Sequence, residues 1–345
     1  MTKNILVTGG LGYVGSHTII EKLQEGYRVI CLDNLQNSNI DVVKKIEDIT
    51  NKSFEFYNVN VCDINEINKC LGKNKSIDGI IHFAANKSVS ESIQFPIKYY
   101  ENNIMSLLNI IKIADKFKSN IVFSSSCTVY GESLNFPLTE DDETAIPKSP
   151  YGNTKKICEE ILFDFSKSEK INITSLRYFN PVGAHFSGKI GEAPTVNPQN
   201  LIPYLMETAI GLRDQLVIFG NDYDTFDGTC IRDFIHVSDV ATAHIAALKY
   251  MDNCFAKKIY NVFNIGRGVG VSIKQVVDRF IDLTGVNLNY CYGNRRSGDI
   301  IESWAACEKA EIHLGWKAKY SLDDIINSAW IWQKNILLKR EYDRS

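Results

Sequence analysis

The sequence lacks long hydrophobic runs, paired cysteine motifs and an excess of basic residues. Its most apolar stretches are broken within a few residues by Gly, Lys or Asp, well short of the ~18 apolar residues that would cross a bilayer. Its nine cysteines form no C-x-x-C pair, which disfavours a disulfide framework and a zinc knuckle. The net charge of -3 disfavours nucleic acid as the main partner, because nucleic-acid-binding domains usually carry a basic excess.

Targeting signals, internal repeats and metal-ligand patterns are also lacking. Met1 to Asn4 lead directly into the apolar Ile5, which leaves no room for the charged region and apolar core of a signal peptide. The six histidines have no metal-ligand spacing, and no group of Asp, Glu and His suggests an ion. We therefore predict a cytoplasmic protein with reduced thiols, no bound metal and no membrane contact.

Short β-branched runs alternate with helix-like segments through the first half of the chain. At 345 residues and 44% hydrophobic composition, the chain can bury a large core in one large or two interlocked lobes. Strand-like runs cover 5–8, 28–32, 79–83, 121–124 and 173–177, and helical spacing covers 15–25, 97–117 and 151–169. This alternation predicts an α/β fold built on a doubly wound, Rossmann-like parallel sheet.

Proline and glycine become frequent after about residue 180, which predicts the start of a second, smaller α/β domain. We therefore assign residues 1–180 to a first domain and residues 181–345 mainly to a second. The runs 234–235 and 262–265 again look like buried strands. For this reason we expect the segment from about 232 to 265 to return to the first domain.

A glycine-rich loop follows the first predicted strand. Gly9, Gly12 and Gly15 are spaced three apart, so the backbone can turn tightly and approach a pyrophosphate at a helix N-terminus. The alternative is an ordinary strand-to-helix turn. Asp33 follows the second predicted strand, where a carboxylate can accept hydrogen bonds from adenosine ribose hydroxyls and would repel a 2'-phosphate. Together they predict a site for NAD rather than NADP, in the first domain.

A tyrosine and a lysine stand four residues apart at the start of a predicted helix. Tyr151 and Lys155 can therefore project from one helix face. A tyrosine of ordinary pKa, near 10, is a poor base at neutral pH, but a nearby ammonium and a nicotinamide cation both favour the phenolate. The pair is a candidate proton acceptor, and the alternative is a surface aromatic beside a lysine.

The predicted strand at 121–124 ends in a run of hydroxyl side chains. In a doubly wound sheet the carboxyl ends of the strands line the ligand crevice, so we expect Ser124, Ser125, Ser126 and Thr128 to open toward a cofactor. One or more would then hydrogen-bond a reacting oxygen. The alternative is that some of them only cap the following turn.

These motifs belong to a longer series that resembles a known family. The series runs from about residue 4 to about residue 335 and comprises TGGLGYVGSH, DNL, HFAA, SSSCTVYGE, SPYGNTK, LRYFNPVGAH, NLIPY, IFGNDY, DGTCIRDFIHVSDVA, YNVFNIG and GDIIESW. In order and spacing it resembles the UDP-galactose 4-epimerase family of the extended short-chain dehydrogenases/reductases. The resemblance implies NAD as cofactor, a UDP-sugar as substrate, a UDP-sugar-binding second domain and a homodimer, formed through the helices at 97–117 and 151–169.

The resemblance also assigns roles to individual residues. The family's catalytic Ser, Tyr and Lys fall on Ser126, Tyr151 and Lys155. Contacts with NAD are implied for Gly9, Gly12, Tyr13, Val14, Gly15, Asp33, Asn34, Asn60, Val61, Phe83, Ala84, Lys87, Asn102, Ser124, Tyr151, Lys155 and Tyr178. Contacts with the UDP-sugar are implied for Ser126, Thr128, Tyr151, Asn180, Asn200, Leu201, Arg232, Arg296, Asp299 and Ser303.

Arg232 and Arg296 suit a diphosphate, because a guanidinium can bind two phosphate oxygens at once; surface salt-bridging is the alternative.

Two positions depart from the family pattern. Asn60 stands where an Asp usually contacts adenine, and its amide oxygen can still accept from an amine. Ser297 stands where a Glu is usual, a change that nothing in the sequence explains. Ser303 occupies a position where some members carry a Tyr that narrows the sugar pocket, so we expect N-acetylated UDP-sugars to be accepted as well.

The resemblance implies reversible epimerisation of UDP-galactose and UDP-glucose at carbon 4, by transient oxidation with bound NAD. Tyr151 would take the hydroxyl proton, with Lys155 holding the phenolate and Ser126 assisting. The nearest competing function is that of a nucleotide-sugar dehydratase or decarboxylase, but related dehydratases place Asp-Glu after the strand-end Thr, whereas Val129 follows Thr128 here. The sequence also leaves open a UDP-glucuronate epimerase and a non-catalytic NAD-binding regulator.

Overall fold

A computed structural model describes residues 2–72, 76–133, 135–168, 171–192, 200–253, 260–296 and 298–342, with side chains up to residue 338. The elements of the first half are β1 (Asn4–Thr8), α1 (Tyr13–Gln24), β2 (Arg28–Asp33), α2 (Asp41–Thr50), β3 (Glu55–Asn58), α3 (Ile64–Leu71), β4 (Gly79–His82), α4 (Val89–Gln94), α5 (Pro96–Phe117), β5 (Asn120–Ser126), a 3-10 turn (Cys127–Tyr130), α6 (Pro150–Ser168) and β6 (Ile173–Tyr178).

The second half has shorter strands. Its elements are β7 (Asn180–Val182), α7 (Leu201–Ala209), β8 (Leu216–Phe219), β9 (Ile231–Arg232), β10 (Phe234–His236), α8 (Val237–Asp252), β11 (Tyr260–Ile265), β12 (Val271–Ser272), α9 (Ile273–Thr284), β13 (Tyr290–Gly293), β14 (Glu302–Ser303), α10 (Glu308–Leu314) and α11 (Leu322–Tyr342).

The central sheet has seven parallel strands in the order β11-β6-β5-β4-β1-β2-β3. This is the strand order of a doubly wound sheet, in which all strands are parallel and the chain, after building outward from β1 to β3, continues on the other side of β1 with β4. The predicted fold class is confirmed. Strand β3 was not predicted, because its residues are few and only partly buried, so they lack the continuous apolar run of a central strand.

Alternate residues of the sheet enter two separate hydrophobic clusters, one on each face. Ile5 and Val7 pack with residues of α1 and α8, whereas Leu6 packs with residues of α5 and α6. Because successive side chains of a strand point to opposite faces, a strand covered by helices on both sides is apolar throughout. This explains why the strands of the first half were readable as short apolar runs.

Two late segments join the fold in different ways. Residues 262–265 lie in β11, which pairs with β6 at the edge of the seven-stranded sheet. Residues 234–235 lie in β10, which pairs with β7 in a separate two-stranded sheet. The remaining short strands form β12-β9-β14 and β13-β8. Across the described ranges, no helix is long and apolar enough to cross a membrane.

Candidate active site

The glycine loop lies between β1 and α1 and requires glycine at two positions. Gly9 has a φ of +65°, and a Cβ there would come within 2.7 Å of the Ala84 backbone nitrogen. A Cβ at Gly15 would overlap the Gly9 carbonyl oxygen. Gly12 precedes α1 as its N-cap without a side-chain cap, so the first N–H groups of the helix face the loop. This arrangement suits a phosphate group.

Asp33 at the end of β2 is buried and tied to the glycine loop. Its Oδ2 accepts a hydrogen bond of 3.0 Å from the Leu11 backbone N–H. Its Oδ1 accepts from the Leu35 backbone N–H at 2.9 Å and from the Ser38 hydroxyl at 2.7 Å. Neighbouring Asn34 accepts from the Gln36 backbone N–H at 3.1 Å. The hydrogen bond with Leu11 therefore fixes Asp33, the predicted ribose contact, to the glycine loop.

The residues predicted to lie near adenine are found together beyond β3. Asn60 Oδ1 accepts a hydrogen bond of 3.0 Å from the Cys62 backbone N–H, and Val61 between them is buried. Cys62 lies 3.5 Å from the backbone oxygen of Asn102 on α5. An open cavity of about 570 Å³ is lined by Cys62, Asn102 and Gln36 among others. In this structure the Asn60 amide shapes a turn.

The loop after β4 carries Phe83, Ala84 and Lys87. The Phe83 N–H donates to the Thr8 carbonyl oxygen at 3.0 Å, which holds this loop beside the end of β1. Lys87 pairs with Glu192 at 3.2 Å, and its Nζ lies 5.7 Å from the ring centroid of Tyr13. Val14 follows Tyr13 at the start of α1 and packs against the core cluster on that face. These predicted cofactor contacts thus border the same crevice as the glycine loop.

Tyr151, Ser126 and Lys155 meet at the carboxyl end of β5. Tyr151 and Lys155 lie in the first turns of α6, with Lys155 Nζ 5.9 Å from the Tyr151 ring centroid. The Ser126 hydroxyl lies close enough to the Tyr151 phenol to lower its pKa. Ser126 Oγ accepts from the hydroxyl of Thr128 at 3.0 Å and from its backbone N–H at 3.3 Å. Ser126 therefore caps the 3-10 turn beside Tyr151, and its contact with a reacting oxygen stays a prediction.

The charges of this group are set by burial. Burial raises the pKa of Tyr151 well above its ordinary value, and the neighbouring Tyr178 adds to the rise, while the hydrogen bond with Ser126 lowers it. Burial lowers the pKa of Lys155 to about 8, while Cys158 and Glu159 act to raise it. The Lys155 ammonium donates to the Ser124 carbonyl oxygen at 2.6 Å. That hydrogen bond fixes the amine at the strand end.

Of the four hydroxyl residues expected to face the cofactor, Ser125 does not. Successive side chains of β5 alternate between faces, so Ser125 points away from the crevice. It is fully buried and donates to Glu159 on α6. That expectation is wrong for Ser125. Ser124, on the crevice face, hydrogen-bonds with the hydroxyl of Tyr178, and burial raises the pKa of Tyr178 to about 12.

Arg232, Arg296 and Asp299 form a cluster of charges in the second half of the chain. Arg296 donates to Asp299 at 2.8 Å, and the Arg232 guanidinium lies 3.9 Å from the same carboxylate. Arg232 also donates to the Ile231 carbonyl oxygen at 2.8 Å. Two guanidinium groups thus share one carboxylate, which leaves a net positive charge suited to an anion. The neighbouring Ser297 lies outside the described residues.

Ser303 lies directly beside Arg232, because β14 pairs with β9 and the two residues are in register. Its side chain is buried and lies near the thiol of Cys127, the residue after Ser126. Burial raises the pKa of that thiol to about 11, while Ser303 acts to lower the pKa. Since Cys127 also neighbours Tyr151, the position predicted to limit the sugar pocket lies close to the Tyr151 group.

The remaining predicted substrate residues lie in β7 and at the start of α7. The Asn180 backbone N–H donates to the Asp233 carbonyl oxygen at 3.0 Å, which places β7 beside Arg232. Asn200 precedes α7, which begins at Leu201, and its amide lies 3.5 Å from Glu192, the partner of Lys87. Within the ranges that the structure describes, no group of three or more His, Cys, Asp or Glu side chains is placed to hold a metal.

Comparisons with known proteins agree with this geometry. The family model described as "NAD dependent epimerase/dehydratase family" matches residues 5–266. A UDP-glucose 4-epimerase of Drosophila melanogaster is 43% identical over 337 residues, 95% of this chain and 96% of that protein. The structure of a Stenotrophomonas maltophila UDP-glucose 4-epimerase, with bound NAD and formylated UDP-arabinopyranose, has a TM-score of 0.94 at 39% identity and covers 98% of this chain and 99% of that one.

A third similar protein has a broader described substrate range. The UDP-Glc/GlcNAc 4-epimerase of Campylobacter jejuni has a TM-score of 0.82 at 36% identity, covering 96% of this chain and 99% of that one. The family model and the relatives span most or nearly all of the chain. This chain therefore belongs to the NAD-dependent epimerase/dehydratase family, among its UDP-glucose 4-epimerases.

Proposed function

We propose that this protein interconverts UDP-galactose and UDP-glucose by inverting carbon 4 of the sugar, with NAD as bound cofactor. The observation that carries the proposal is the meeting of Ser126, Tyr151 and Lys155 at the carboxyl end of β5. This is the edge of the parallel sheet at which the glycine loop also lies, so a proton-transfer group and a phosphate-binding loop share one crevice.

The residues of the first half fit NAD. Glycine at positions 9 and 15 lets the loop backbone pack closely against its neighbours before α1, whose first N–H groups suit a pyrophosphate, and Asp33 suits the ribose hydroxyls. Residues that would hold the cofactor further include Tyr13, Val14, Asn34, Asn60, Val61, Phe83, Ala84, Lys87, Asn102, Ser124 and Tyr178. Bound NAD would supply the reversible hydride acceptor that oxidation of a carbinol requires.

Tyr151 would exchange the proton of the hydroxyl on carbon 4. Because burial raises its pKa, the phenolate needs a nearby positive charge, and the Lys155 ammonium is held on the same helix face for this purpose. Ser126 lies beside the phenol, where it lowers the pKa of Tyr151, and would hydrogen-bond the sugar oxygen, with Thr128 orienting its hydroxyl. These residues would thus move one proton to and from one oxygen.

Binding energy would come from the parts of the substrate that do not react. Arg232 and Arg296, which both lie against the Asp299 carboxylate, would bind the diphosphate. Asn180, Asn200 and Leu201 would contact the rest of the nucleotide sugar. Residues 1–180, with the segment from about 232 to 265, would then serve mainly the cofactor, and residues 181–345 mainly the UDP-sugar.

We further propose that UDP-N-acetylglucosamine and UDP-N-acetylgalactosamine are substrates. Ser303 is small and lies beside Arg232 and near Cys127, so a larger residue at 303 would extend into the region proposed for the sugar. The similarity to the Campylobacter jejuni enzyme, described for both UDP-Glc and UDP-GlcNAc, supports the proposal.

Replacing Ser303 with Tyr should separate the two activities. We expect Ser303→Tyr to reduce turnover of UDP-N-acetylglucosamine at least about tenfold, because an added ring competes with the N-acetyl group, while UDP-glucose turnover changes much less. Ser303→Ala is the matched control and should keep both activities. Steady-state assays with both sugars would contradict the proposal if Ser303→Tyr reduced both equally, or if the unmodified protein had no N-acetyl activity.

We also propose a homodimer formed through α5 and α6. Phe95, Ile97 and Met105 at and along α5 are exposed, as is Phe163 on α6, and the two helices pack side by side. Exposed apolar side chains on adjacent helices favour burial in an interface. A monomeric mass in sedimentation equilibrium at micromolar concentration would contradict this.

A cytoplasmic location is supported by the eight free cysteines among the described residues, and cell fractionation would test it.

The most direct test of the function is incubation with UDP-galactose without added cofactor. We expect UDP-glucose to appear, because a cofactor regenerated in each cycle need not dissociate and should be purified with the protein. Chromatographic separation of the two nucleotide sugars measures the product. Recovery of UDP-galactose alone, both without and with added NAD, would refute the proposed function.

A further inference from the structure

A buried cluster behind the Tyr151 group joins three elements of the sheet and its covering helix. Glu159 on α6 accepts hydrogen bonds from Arg177 Nε at 3.0 Å and from Arg177 Nη2 at 2.6 Å. Ser125 on β5 donates to the same carboxylate. Both charged side chains are almost fully buried. We name these three residues, Ser125, Glu159 and Arg177, the carboxylate clamp.

The clamp is in register with the active-site face of the sheet. Ser125 and Arg177 are directly paired across β5 and β6. The residues on either side of Ser125 are Ser124 and Ser126, and the residue after Arg177 is Tyr178, whose register partner is Ser126. Because side chains alternate between faces, a residue fixed on the hidden face fixes the direction of its neighbours on the crevice face.

The clamp also reaches Lys155 through the helix. Glu159 lies four residues after Lys155, so their side chains share one face of α6. The titratable groups facing Lys155 are Tyr151, Cys158 and Glu159 on its own helix and His82 at the end of β4. Burial, with a smaller effect of Lys155, lowers the pKa of His82 to about 3, so that imidazole is neutral. Glu159 is thus the acidic group on this helix face whose charge favours the ammonium.

A second layer supports the clamp from the far side. The Arg177 guanidinium carbon lies 4.8 Å from the ring centroid of Tyr130, in the 3-10 turn that follows Ser126. Tyr130 in turn donates to Asn264 Oδ1 at 2.6 Å on β11. A buried ion pair costs desolvation energy and adds little net stability, so its retention here calls for another role.

We infer that the Ser125–Glu159–Arg177 clamp is a positioning device, which fixes the direction of Ser126 and keeps the Lys155 amine charged. The inference rests on the proposed epimerase function, since it assigns the charge of Lys155 a part in proton transfer. It makes Glu159 and Arg177 positioning residues, because neither faces the crevice. Their opposite charges should then act on Lys155 in opposite directions.

The two charges can be removed separately. Glu159→Gln leaves the Arg177 cation unpaired, which disfavours the ammonium, so Lys155 should lose its proton at lower pH. Arg177→Met leaves the Glu159 carboxylate unpaired, which favours the ammonium, so the proton should be lost at higher pH. The value of kcat should fall as Lys155 is deprotonated. The alkaline limb of the kcat–pH profile should therefore move to lower pH in Glu159→Gln and to higher pH in Arg177→Met.

Two measurements decide this. The pH profile of kcat is recorded for both variants, and the amine of Lys155 is titrated directly by competitive acetylation followed by mass spectrometry, which needs no turnover. Opposite shifts of at least about half a pH unit support the clamp. If the alkaline limb does not move, or if it moves in the same direction in both variants, the proposed effect of the clamp charges on Lys155 is overturned. An inactive unmodified protein would refute the epimerase proposal, while acetylation would still test the clamp.

A milder pair of variants tests positioning without disturbing the buried charges. Ser125→Ala removes one contact of the clamp, and we expect kcat to fall about three- to tenfold with KM nearly unchanged. Ser175→Ala is the matched control, because Ser175 is a buried serine on β6 that contacts Tyr260 rather than Glu159. It should keep the kcat of the unmodified protein. Equal kcat values for the two variants would overturn the positioning role even if the charge variants failed to fold.

Discussion

Replacing Tyr151 with Phe should lower kcat by roughly 10³-fold, about 4 kcal/mol of activation free energy, since general acid–base catalysis typically contributes this much. The phenylalanine ring keeps the packing of the partly buried Tyr151 ring and loses only its hydroxyl. The KM for UDP-galactose should change little, because the proposed anchoring residues lie elsewhere. Product formation over hours by chromatography measures the residual rate.

A control for this variant lies in the 3-10 turn that precedes α6. Tyr130 is a buried tyrosine whose hydroxyl donates to Asn264 Oδ1. We expect Tyr130→Phe to reduce kcat far less than Tyr151→Phe. A Tyr151→Phe protein with the rate of the unmodified enzyme would refute the proton-transfer role of Tyr151 and would leave the proposal of NAD binding untouched.

Replacing Arg232 with Met should raise the KM for UDP-galactose and lower kcat/KM by roughly 10²-fold, since truncating one member of a buried charge pair costs about 2–5 kcal/mol. The Arg232 side chain is mostly buried and shares Asp299 with Arg296, so its loss would leave the proposed diphosphate site with one guanidinium group, offset by the Asp299 carboxylate. Initial rates over a range of UDP-galactose concentrations measure KM and kcat separately.

Arg295→Met is the control for loss of one positive charge. Arg295 pairs with Asp222 and packs on the ring of Tyr223, and this exposed pair should contribute little. We expect kcat/KM to change less than about twofold in this control. A similar loss in both variants would mean that overall charge, rather than a specific contact of Arg232, attracts the substrate.

Much of the fold was predictable because its signals are local. The strands β1, β2, β4 and β5 place apolar side chains in the clusters on both faces, so each appears as a short hydrophobic run. The glycine loop and the Tyr151–Lys155 pair are also local, since backbone conformation and helix periodicity follow from near neighbours. Family resemblance then supplied the distant residues, such as Arg232, which local spacing could not have brought to Tyr151.

Other features depend on tertiary packing and were missed. Glu159 and Arg177 are 18 positions apart in the sequence. Taken singly, each resembles an ordinary exposed charge, and their burial emerges only when α6 covers β5 and β6. The direction of Ser125 was mispredicted because a run of three serines gives no signal of which face each one takes. Hydrophobic alternation sets that phase elsewhere, and here it is absent.

The position of β11 has a consequence for how the protein is made. This strand, at residues 260–265, completes the sheet beside β6, and α8 immediately before it covers α1. During synthesis the first half of the chain must therefore keep an unpaired β6 edge and an uncovered apolar helix surface until about three-quarters of the polypeptide has left the ribosome. A protein truncated near residue 180 would therefore be an incomplete, aggregation-prone fragment rather than an independently folded domain.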